Sequence, residues 1–542
     1  MEPDRSPQSA DDAPPPLDLL ALLDDAFARH GAGEAIVGRF RRLSFAGLDA
    51  EADAAAAAMR AAGMRPGDRV AACLPNHPEI VVAFLAAMRI GAVWLGINRA
   101  LAPAEKLHIL RDSGASLLIA EPAAAAELAS ARGDLPNLRY IAEVDPERGD
   151  AWQERVDQHR GAPRLIFAPD PLAPAVLAYT SGTTGRAKAV VHSQHNIALA
   201  VAARLTRPWS LTARHGVCTP MTIVNLMIVG PLASLASGGA TICVDSTYAP
   251  ELAEWVERES IRSLSAAAAI FHDLMTRPDI RPEQVRSVQS ISMGSAHVPE
   301  DFRAVFERRF GDQVSYAYGL TEAPTVVAST TPGEPFAPGS VGRPLPHLRL
   351  AILSPEGTPL PPGEDGEIGL AAAVDGPWRG AWRPMLGYWN DPESSAAALA
   401  GGWLHTGDLG RLDANGDLFI TGRLKDMINR GGSNVYPAEI ERVIQEDDEV
   451  LYCAVTGKPD ARLGETVAAF IQPVDRDVDR VKLADQLRNR CGAALARYKV
   501  PTDWLFVDEM PRNDMKKIVK AQLKASYFTT VPDTGAYAPR RA

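Results

Sequence analysis

The chain has 542 residues, too many for one ordinary hydrophobic core, so at least two domains are expected. Its 46% hydrophobic and 23% charged residues are those of a globular protein, and a formal charge of −11 argues against a nucleic-acid binder held by phosphate contacts. A small anionic ligand stays allowed, because a local cationic pocket can form on an acidic protein.

Residues 1–16 are polar and proline-rich, carry no apolar signal core, and read as a disordered lead-in. Residues 69–74 then read as a buried strand. Residues 78–90 read as a helix, with Asn76 as its cap and Gly91 as its stop. Strand-like 92–97, helical 104–113 and strand-like 116–120 follow. This alternation implies parallel sheets with right-handed crossovers. It resumes with strands at 175–179, 241–244, 288–293 and 314–318. Residues 216–244 contain no Asp, Glu, Lys or Arg, but Pro220, Pro231 and the Gly238-Gly239 pair interrupt them. They read as a buried helix and a buried strand, with no membrane span.

Proline- and glycine-rich zones at 331–346 and 354–367 punctuate the chain. Beyond them, helical 437–446 and 481–496 and strand-like 451–456 and 504–507 predict a compact α+β domain. The boundary is placed near Lys425. The expected layout is a lead-in at 1–16, a large α/β domain at 17–424 with parallel-rich sheets and flanking helices, a small α+β domain at 425–525, and a tail at 526–542. Five scattered cysteines without a CxxC pair fit reduced thiols in a cytoplasmic protein.

The chemistry starts at Tyr179-Thr-Ser-Gly-Thr-Thr-Gly-Arg-Ala-Lys188, directly after a predicted strand. Gly182 and Gly185 allow backbone conformations that aim amide hydrogens at an anion. Thr180, Ser181, Thr183 and Thr184 add hydroxyl donors, and Lys188 adds charge. The run suits a polyphosphate, but its Gly-x-x-Gly-x-x-Lys spacing differs from the P-loop of NTPases. By itself, a flexible polar turn explains such a run about as well.

This run resembles the nucleotide loop of acyl- and aryl-CoA synthetases, adenylation domains and luciferases, and four further motifs follow in that superfamily's order. Met293-Gly-Ser-Ala-His297 resembles the turn that lies against adenine, which implicates Gly294, Ser295 and Ala296. In Tyr316-Ala-Tyr-Gly-Leu-Thr-Glu322, the resemblance implies that Tyr318 and Gly319 meet adenine, Thr321 binds the α-phosphate and Glu322 coordinates Mg²⁺. Asp408, in Gly402-Trp-Leu-His-Thr-Gly-Asp408, matches the residue that accepts the ribose hydroxyls. Arg423 matches an arginine on ribose or phosphate. Lys425 falls at the position about which the C-terminal domain swings between two poses. Gly431 and Gly432 would then leave room for a pantetheine arm. Lys517, in Pro511-Arg-Asn-Asp-Met-Lys-Lys-Ile-Val-Lys520, falls where the superfamily keeps its adenylating lysine.

The resemblance implies two half-reactions. A carboxylic acid and Mg-ATP give acyl-AMP and pyrophosphate, with Thr183, Glu322 and Lys517 in catalytic roles. A thiol, expected to be that of coenzyme A, then takes the acyl group. The alternatives are transfer to an acyl or peptidyl carrier protein, capture by a nitrogen nucleophile, or a nucleotide-binding homologue without catalysis. Some positions depart from the pattern. Gln194 stands where many members have His, Lys516 replaces a Gly, and Lys520 replaces an Arg. Pro220-Met-Thr-Ile-Val-Asn225 lacks the aromatic-His pair of many members and the Asp with which adenylation domains hold an α-amino group. An unpaired ammonium in an apolar pocket is costly, which disfavours α-amino acids. Met221, Ile223, Asn225, Met227 and His297 are the expected lining of an acid pocket with one or two polar contacts.

Overall fold

The computed structural model describes residues 14–145, 151–165, 170–180, 187–206, 214–266, 268–293, 300–310, 314–331, 333–430, 433–512 and 518–528. Local chemistry sets the first elements. Strand Arg69–Cys73 is an apolar run, and helix Pro78–Arg89 opens with proline at its first position. Glu79 in its first turn and Arg89 in its last complement the helix dipole. Gly91, at φ 68°, takes the left-handed conformation that lets the chain leave. The cap differs from expectation: His77 Nδ1 accepts from Glu79 N at 3.2 Å. Asn76 is buried and reaches across the fold instead. Its Nδ2 donates to the carbonyls of Val217, Thr219 and Val244 at 2.9–3.0 Å, and its Oδ1 accepts from Met221 N at 2.8 Å.

The chain divides into two compact units, Met1–Leu350 with Gly369–Thr406 and Ala351–Ile368 with Gly407–Ala542. By packing, the division falls before Lys425, inside strand Leu404–Leu412. The first unit carries two large sheets. One has seven strands, in the order Gly387–Tyr388, Lys188–Ser193, Pro174–Thr180, Val93–Gly96, Arg69–Cys73, Leu117–Ala120 and Tyr140–Glu143. Its last five strands are mutually parallel, and the first two pair antiparallel. The other has nine strands, parallel from Val314–Leu320 to Glu34–Val37 and antiparallel at both ends. Strands such as Leu117–Ala120 and Ala240–Cys243 are buried along their whole length, which is why they read as unbroken apolar runs.

Residues 216–244 complete strand Arg214–Val217 before forming the expected helix and strand. The helix runs as Val224–Met227, a π-turn at Ile228–Leu232 and Ala233–Ser237, and it stops at Gly238 with φ 83°. Pro231 lies in the π-turn, whose wider ring tolerates the missing N–H. Among the described residues, no helix is long and apolar enough to cross a membrane.

In the second unit, Val450–Asp460 and Gly464–Pro473 form a long antiparallel pair, joined in parallel by Asp503–Phe506. Ile440, Val443 and Ile444 of helix Pro437–Gln445, with Leu483 and Leu487 of helix Arg480–Ala494, form a core with Val455 and Val467. This is the expected α+β arrangement. All five cysteines are buried and free. Burial pushes Cys73 up to about 11 and Cys218 up to about 12, so both stay protonated and inert.

Candidate active site

Thr180 ends strand Pro174–Thr180 and Lys188 begins strand Lys188–Ser193, and the two residues face each other across an antiparallel ladder. The loop that they close is the polyphosphate candidate. Its Ser181, Gly182, Thr183, Thr184 and Gly185 lie outside the described residues. The hairpin base is anchored by Tyr179, whose hydroxyl donates to Asp112 Oδ2 at 2.7 Å. Burial, followed by the Asp112 carboxylate, raises that phenol well above its ordinary value. Lys188 Nζ donates to Asp391 Oδ2 at 2.7 Å and to Ser394 Oγ at 2.9 Å, and it lies 5.9 Å from the Tyr388 ring centroid. The Lys188 hydrogen bond is the main reason that Asp391 is held down to about 2.

Tyr318, Gly319, Thr321 and Glu322 share the tip of one hairpin, between strands Val314–Leu320 and Ala323–Ser329. Leu320 pairs with Ala323, and the register slips between Tyr318 and Leu320. Gly319 sits at this bulge, where an added Cβ would meet the Thr325 carbonyl oxygen at 2.7 Å. The Tyr388 hydroxyl donates to Glu322 Oε1 at 3.0 Å. Burial first, then the Glu322 charge, raises the Tyr388 phenol, so it remains a donor at working pH. His192 Nε2–H donates to the Thr321 carbonyl at 2.7 Å. Burial pushes His192 down to about 4, which keeps the ring neutral. The structure thus brings Lys188, at the end of the candidate phosphate loop, and the hairpin-tip Glu322 onto one tyrosine.

A half-buried carboxylate fixed by a phenol donor is a hard oxygen ligand suited to Mg²⁺. No cluster of three or more His, Cys, Asp or Glu side chains could hold a metal among the described residues.

The expected acid-pocket segment lies against the same hairpin. Met221 is fully buried, and Ile223 and Asn225 are partly buried. Asn225 Nδ2 donates to the Leu320 carbonyl at 3.1 Å, while its buried Oδ1 has no partner among the described residues. Gly96 underlies this segment. A Cβ there would meet the Thr222 carbonyl oxygen at 1.9 Å, and backbone cannot yield cheaply. Gly96→Ala is therefore expected to cost about 1–3 kcal/mol by overpacking, read as a lowered denaturant midpoint. His297, Gly294, Ser295 and Ala296 lie outside the described residues.

In the second unit, Asp408 and Arg423 are directly opposite in strands Leu404–Leu412 and Leu418–Arg423. Arg423 Nε lies 3.0 Å from Asp408 Oδ1, with the carboxylate buried and the arginine exposed. Gly407, at φ 68°, donates its N–H to Glu367 Oε1 at 2.9 Å. Lys425 is exposed in a single 3₁₀ turn, Leu424–Asp426. Gly431, Gly432 and Lys517 lie outside the described residues. Their neighbours are placed: Arg512 bridges Ile518, and Lys520 Nζ lies 2.6 Å from Glu441 Oε1.

Sequence reasoning missed Tyr388, Asp391 and His192. Asp391 precedes a Pro-Glu helix start, a signal for a cap, and it does cap helix Pro392–Ala398. Nothing near Asp391 in sequence points to Lys188, and nothing near Tyr388 points to Glu322.

Comparison with known proteins identifies the family. Indoleacetate–CoA ligase of Aromatoleum aromaticum is 32% identical over 490 residues, covering 89% of this chain and 93% of that protein. Feruloyl-CoA synthase of an Amycolatopsis species is 34% identical, covering 90% and 94%. Among solved structures, ATP-bound MatB from Rhodopseudomonas palustris is 27% identical with a TM-score of 0.84, covering 95% of this chain and 99% of that one. The amide bond synthetase McbA from Marinactinospora thermotolerans is 27% identical with a TM-score of 0.81, covering 94% and 99%. The AMP-binding enzyme family model matches residues 23–389, and the model of the AMP-binding enzyme C-terminal domain matches 439–517. Motifs, fold and these matches agree, and the chain belongs to the family of AMP-binding enzymes.

Proposed function

We infer that the chain is an ATP-dependent acid–thiol ligase of the cytoplasm. It joins a carboxylic acid to AMP, releases pyrophosphate, and passes the acyl group to coenzyme A. The observation that carries this reading is the pairing of Lys188 and Glu322 around Tyr388, beside a segment without charged side chains. Lys188 and the loop ahead of it meet the β- and γ-phosphates. Glu322 would hold Mg²⁺, and the chemistry that the ion would supply there is charge neutralisation on the phosphates. The Tyr388 hydroxyl orients the Glu322 carboxylate. Tyr318 and Gly319 lie against adenine, Thr321 binds the α-phosphate, and Asp408 accepts the ribose hydroxyls with Arg423 beside it. Lys517 aligns the acid carboxylate for in-line attack. Rotation about Lys425 then removes Lys517 and admits the thiol, with Gly431 and Gly432 beside the pantetheine.

ATP–pyrophosphate exchange over aliphatic, aromatic and amino acids tests the first half-reaction. CoA against holo-carrier proteins tests the acceptor. No exchange with any acid would remove the reading. Likeness to an amide bond synthetase supports a second acceptor class, a nitrogen nucleophile, which an amine arm of the same assay separates.

Met221, Ile223, Met227 and Asn225 line the acid site. Asn225 Oδ1, buried without a partner among the described residues, offers one acceptor in apolar surroundings. The acid that fits carries a hydroxyl or N–H to meet it and no α-ammonium. Asn225→Leu is expected to lower the kcat/KM preference for a hydroxylated acid over its deoxy analogue by about tenfold, the worth of one buried hydrogen bond. An unchanged ratio would place the acid elsewhere.

A further inference from the structure

Strands Arg69–Cys73 and Val93–Gly96 are parallel neighbours in the seven-stranded sheet, and Ala72 pairs with Gly96. Strands Arg214–Val217 and Ala240–Cys243 are parallel neighbours in the nine-stranded sheet, and Val217 pairs with Cys243. The acid-pocket segment leaves the second sheet just past Val217. One side chain, leaving the first sheet just past Cys73, meets it there. Asn76 Nδ2 lies 2.9 Å from the carbonyl oxygens of Val217 and Thr219 and 3.0 Å from that of Val244, so two N–H groups are shared among three acceptors. Its Oδ1 accepts from Met221 N at 2.8 Å. Asn76 is 9% exposed, and its amide is used in full.

The nearby helix does not account for this, because His77 supplies its cap. The acid-pocket segment does. From Met221 the chain turns, with Ile223 N donating to the Pro220 carbonyl at 3.0 Å, and enters helix Val224–Met227. Asn225 on that helix reaches the Leu320 carbonyl at 3.1 Å. Ahead of Asn225, the segment's own side chains supply no polar tie. Thr219 and Thr222 are buried, and their hydroxyls have no partner among the described residues. Pro220, Met221, Ile223 and Val224 have no polar side-chain group to offer. The turn is therefore positioned from outside, by the Asn76 amide at Thr219 and Met221 and by the close approach of Gly96 at Thr222. Aspartate has the shape of asparagine but lacks its donors, and leucine lacks donors and acceptor alike.

We propose that Asn76 is a positioning residue for acid selectivity: without touching the acid, it fixes where Met221 and Ile223 stand and so the length of acid that the pocket accepts. The proposal rests on the reading that residues 221–225 line the acid site. An apolar pocket tells one methylene from none only while its walls hold still. Asn76 holds this wall by its backbone, at the point where the chain leaves the sheet. Without the amide the turn yields, and a longer acid enters at less cost.

Two measurements on the full-length protein test this. Hydrogen–deuterium exchange reads the Met221 amide, which should exchange as slowly in the wild type as strand Ala240–Cys243 does. Fast exchange there in the wild type overturns the proposal without any variant. Kinetics over benzoate, phenylacetate and hydrocinnamate, and over hexanoate, heptanoate and octanoate, read the kcat/KM preference for the best acid over its homologue one methylene longer. Asn76→Ala is expected to speed Met221 exchange and to lower that preference about tenfold, with the KM for ATP within about twofold of wild type. Asn76→Ser keeps one donor and one acceptor and should shift both readings the same way by less. It decides the test if the thermal midpoint shows that the alanine variant does not fold. Equal losses for every acid, with the preference unchanged, mark a merely structural side chain and overturn the proposal. Asn225→Leu tells that failure from failure of the acid-site reading. If Asn225→Leu shifts its own preference and Asn76→Ala does not, only the proposal falls. If neither shifts, the acid lies elsewhere and both fall. No pyrophosphate exchange with any acid also overturns both.

Discussion

Lys517→Ala is expected to slow acyl-AMP formation by about 10²–10³-fold, the usual effect of losing one group that stabilises developing charge. The side chain would bridge the acid carboxylate and the α-phosphate as pyrophosphate leaves. A cation there acts in the transition state and contributes little to holding either substrate, so kcat should fall more than KM rises. Acyl-AMP supplied from outside should still transfer its acyl group to the thiol at nearly the wild-type rate, because the proposed rotation about Lys425 takes Lys517 away before that step. Exchange assays read the first step, and thioester release from synthetic acyl-AMP reads the second. Equal loss in both steps would show that the lysine serves the fold of its loop instead. Among the described residues, Arg512 bridges Ile518 and Lys520 pairs with Glu441.

Acid should destabilise the first unit well before its carboxylates titrate. Burial lowers His77 and His192 to about 4 and His215 to about 3, against an ordinary 6.5. The unfolded chain takes up these protons below pH 6.5, while the folded chain refuses them until near pH 4. Stability is therefore whole above pH 6.5 and is lost as the pH falls from there through about 4. Each histidine is worth on the order of 3 kcal/mol at the acid limit. Thermal melts between pH 7 and 5 should show a falling midpoint for this unit. His215→Asn should give a shallower slope over the same range, since Asn can still accept at the position where His215 Nδ1 meets Ser263 Oγ at 2.8 Å. A midpoint independent of pH between 7 and 5 would contradict neutral burial of these rings.

Much of the fold was legible because its signals are contiguous. The apolar run at 69–73, the proline that opens helix 78–89 and the glycine that follows it act within a few residues of one another. The same holds for helix Pro437–Gln445, whose apolar positions repeat with the helical period. The expectation of parallel sheets held for the central strands and missed the antiparallel edges. Lys188–Ser193 returns from Pro174–Thr180 through a loop too short for a crossover, so that pair has to be antiparallel. Pro231 was read as an interruption, yet the chain accommodates it in a π-turn, a distinction that depends on packing around the helix.

By itself, the sequence determined the α/β plan with its smaller second domain and the order of the motifs shared with AMP-binding enzymes, and it singled out 180–188 as the candidate phosphate loop. These depend on residue types at short spacing, where backbone geometry leaves few choices. Only the tertiary structure decided what holds those motifs in place. Asn76 looked like a local cap but ties together three carbonyls more than a hundred residues away. Lys188 finds its counter-charge in Asp391, 203 positions on, and Glu322 finds its hydroxyl donor in Tyr388. Those pairings arise because a two-residue strand docks on the edge of the seven-stranded sheet. Which edge a strand joins is set by the sum of many burial and hydrogen-bond terms over the whole unit, and no local spacing encodes it.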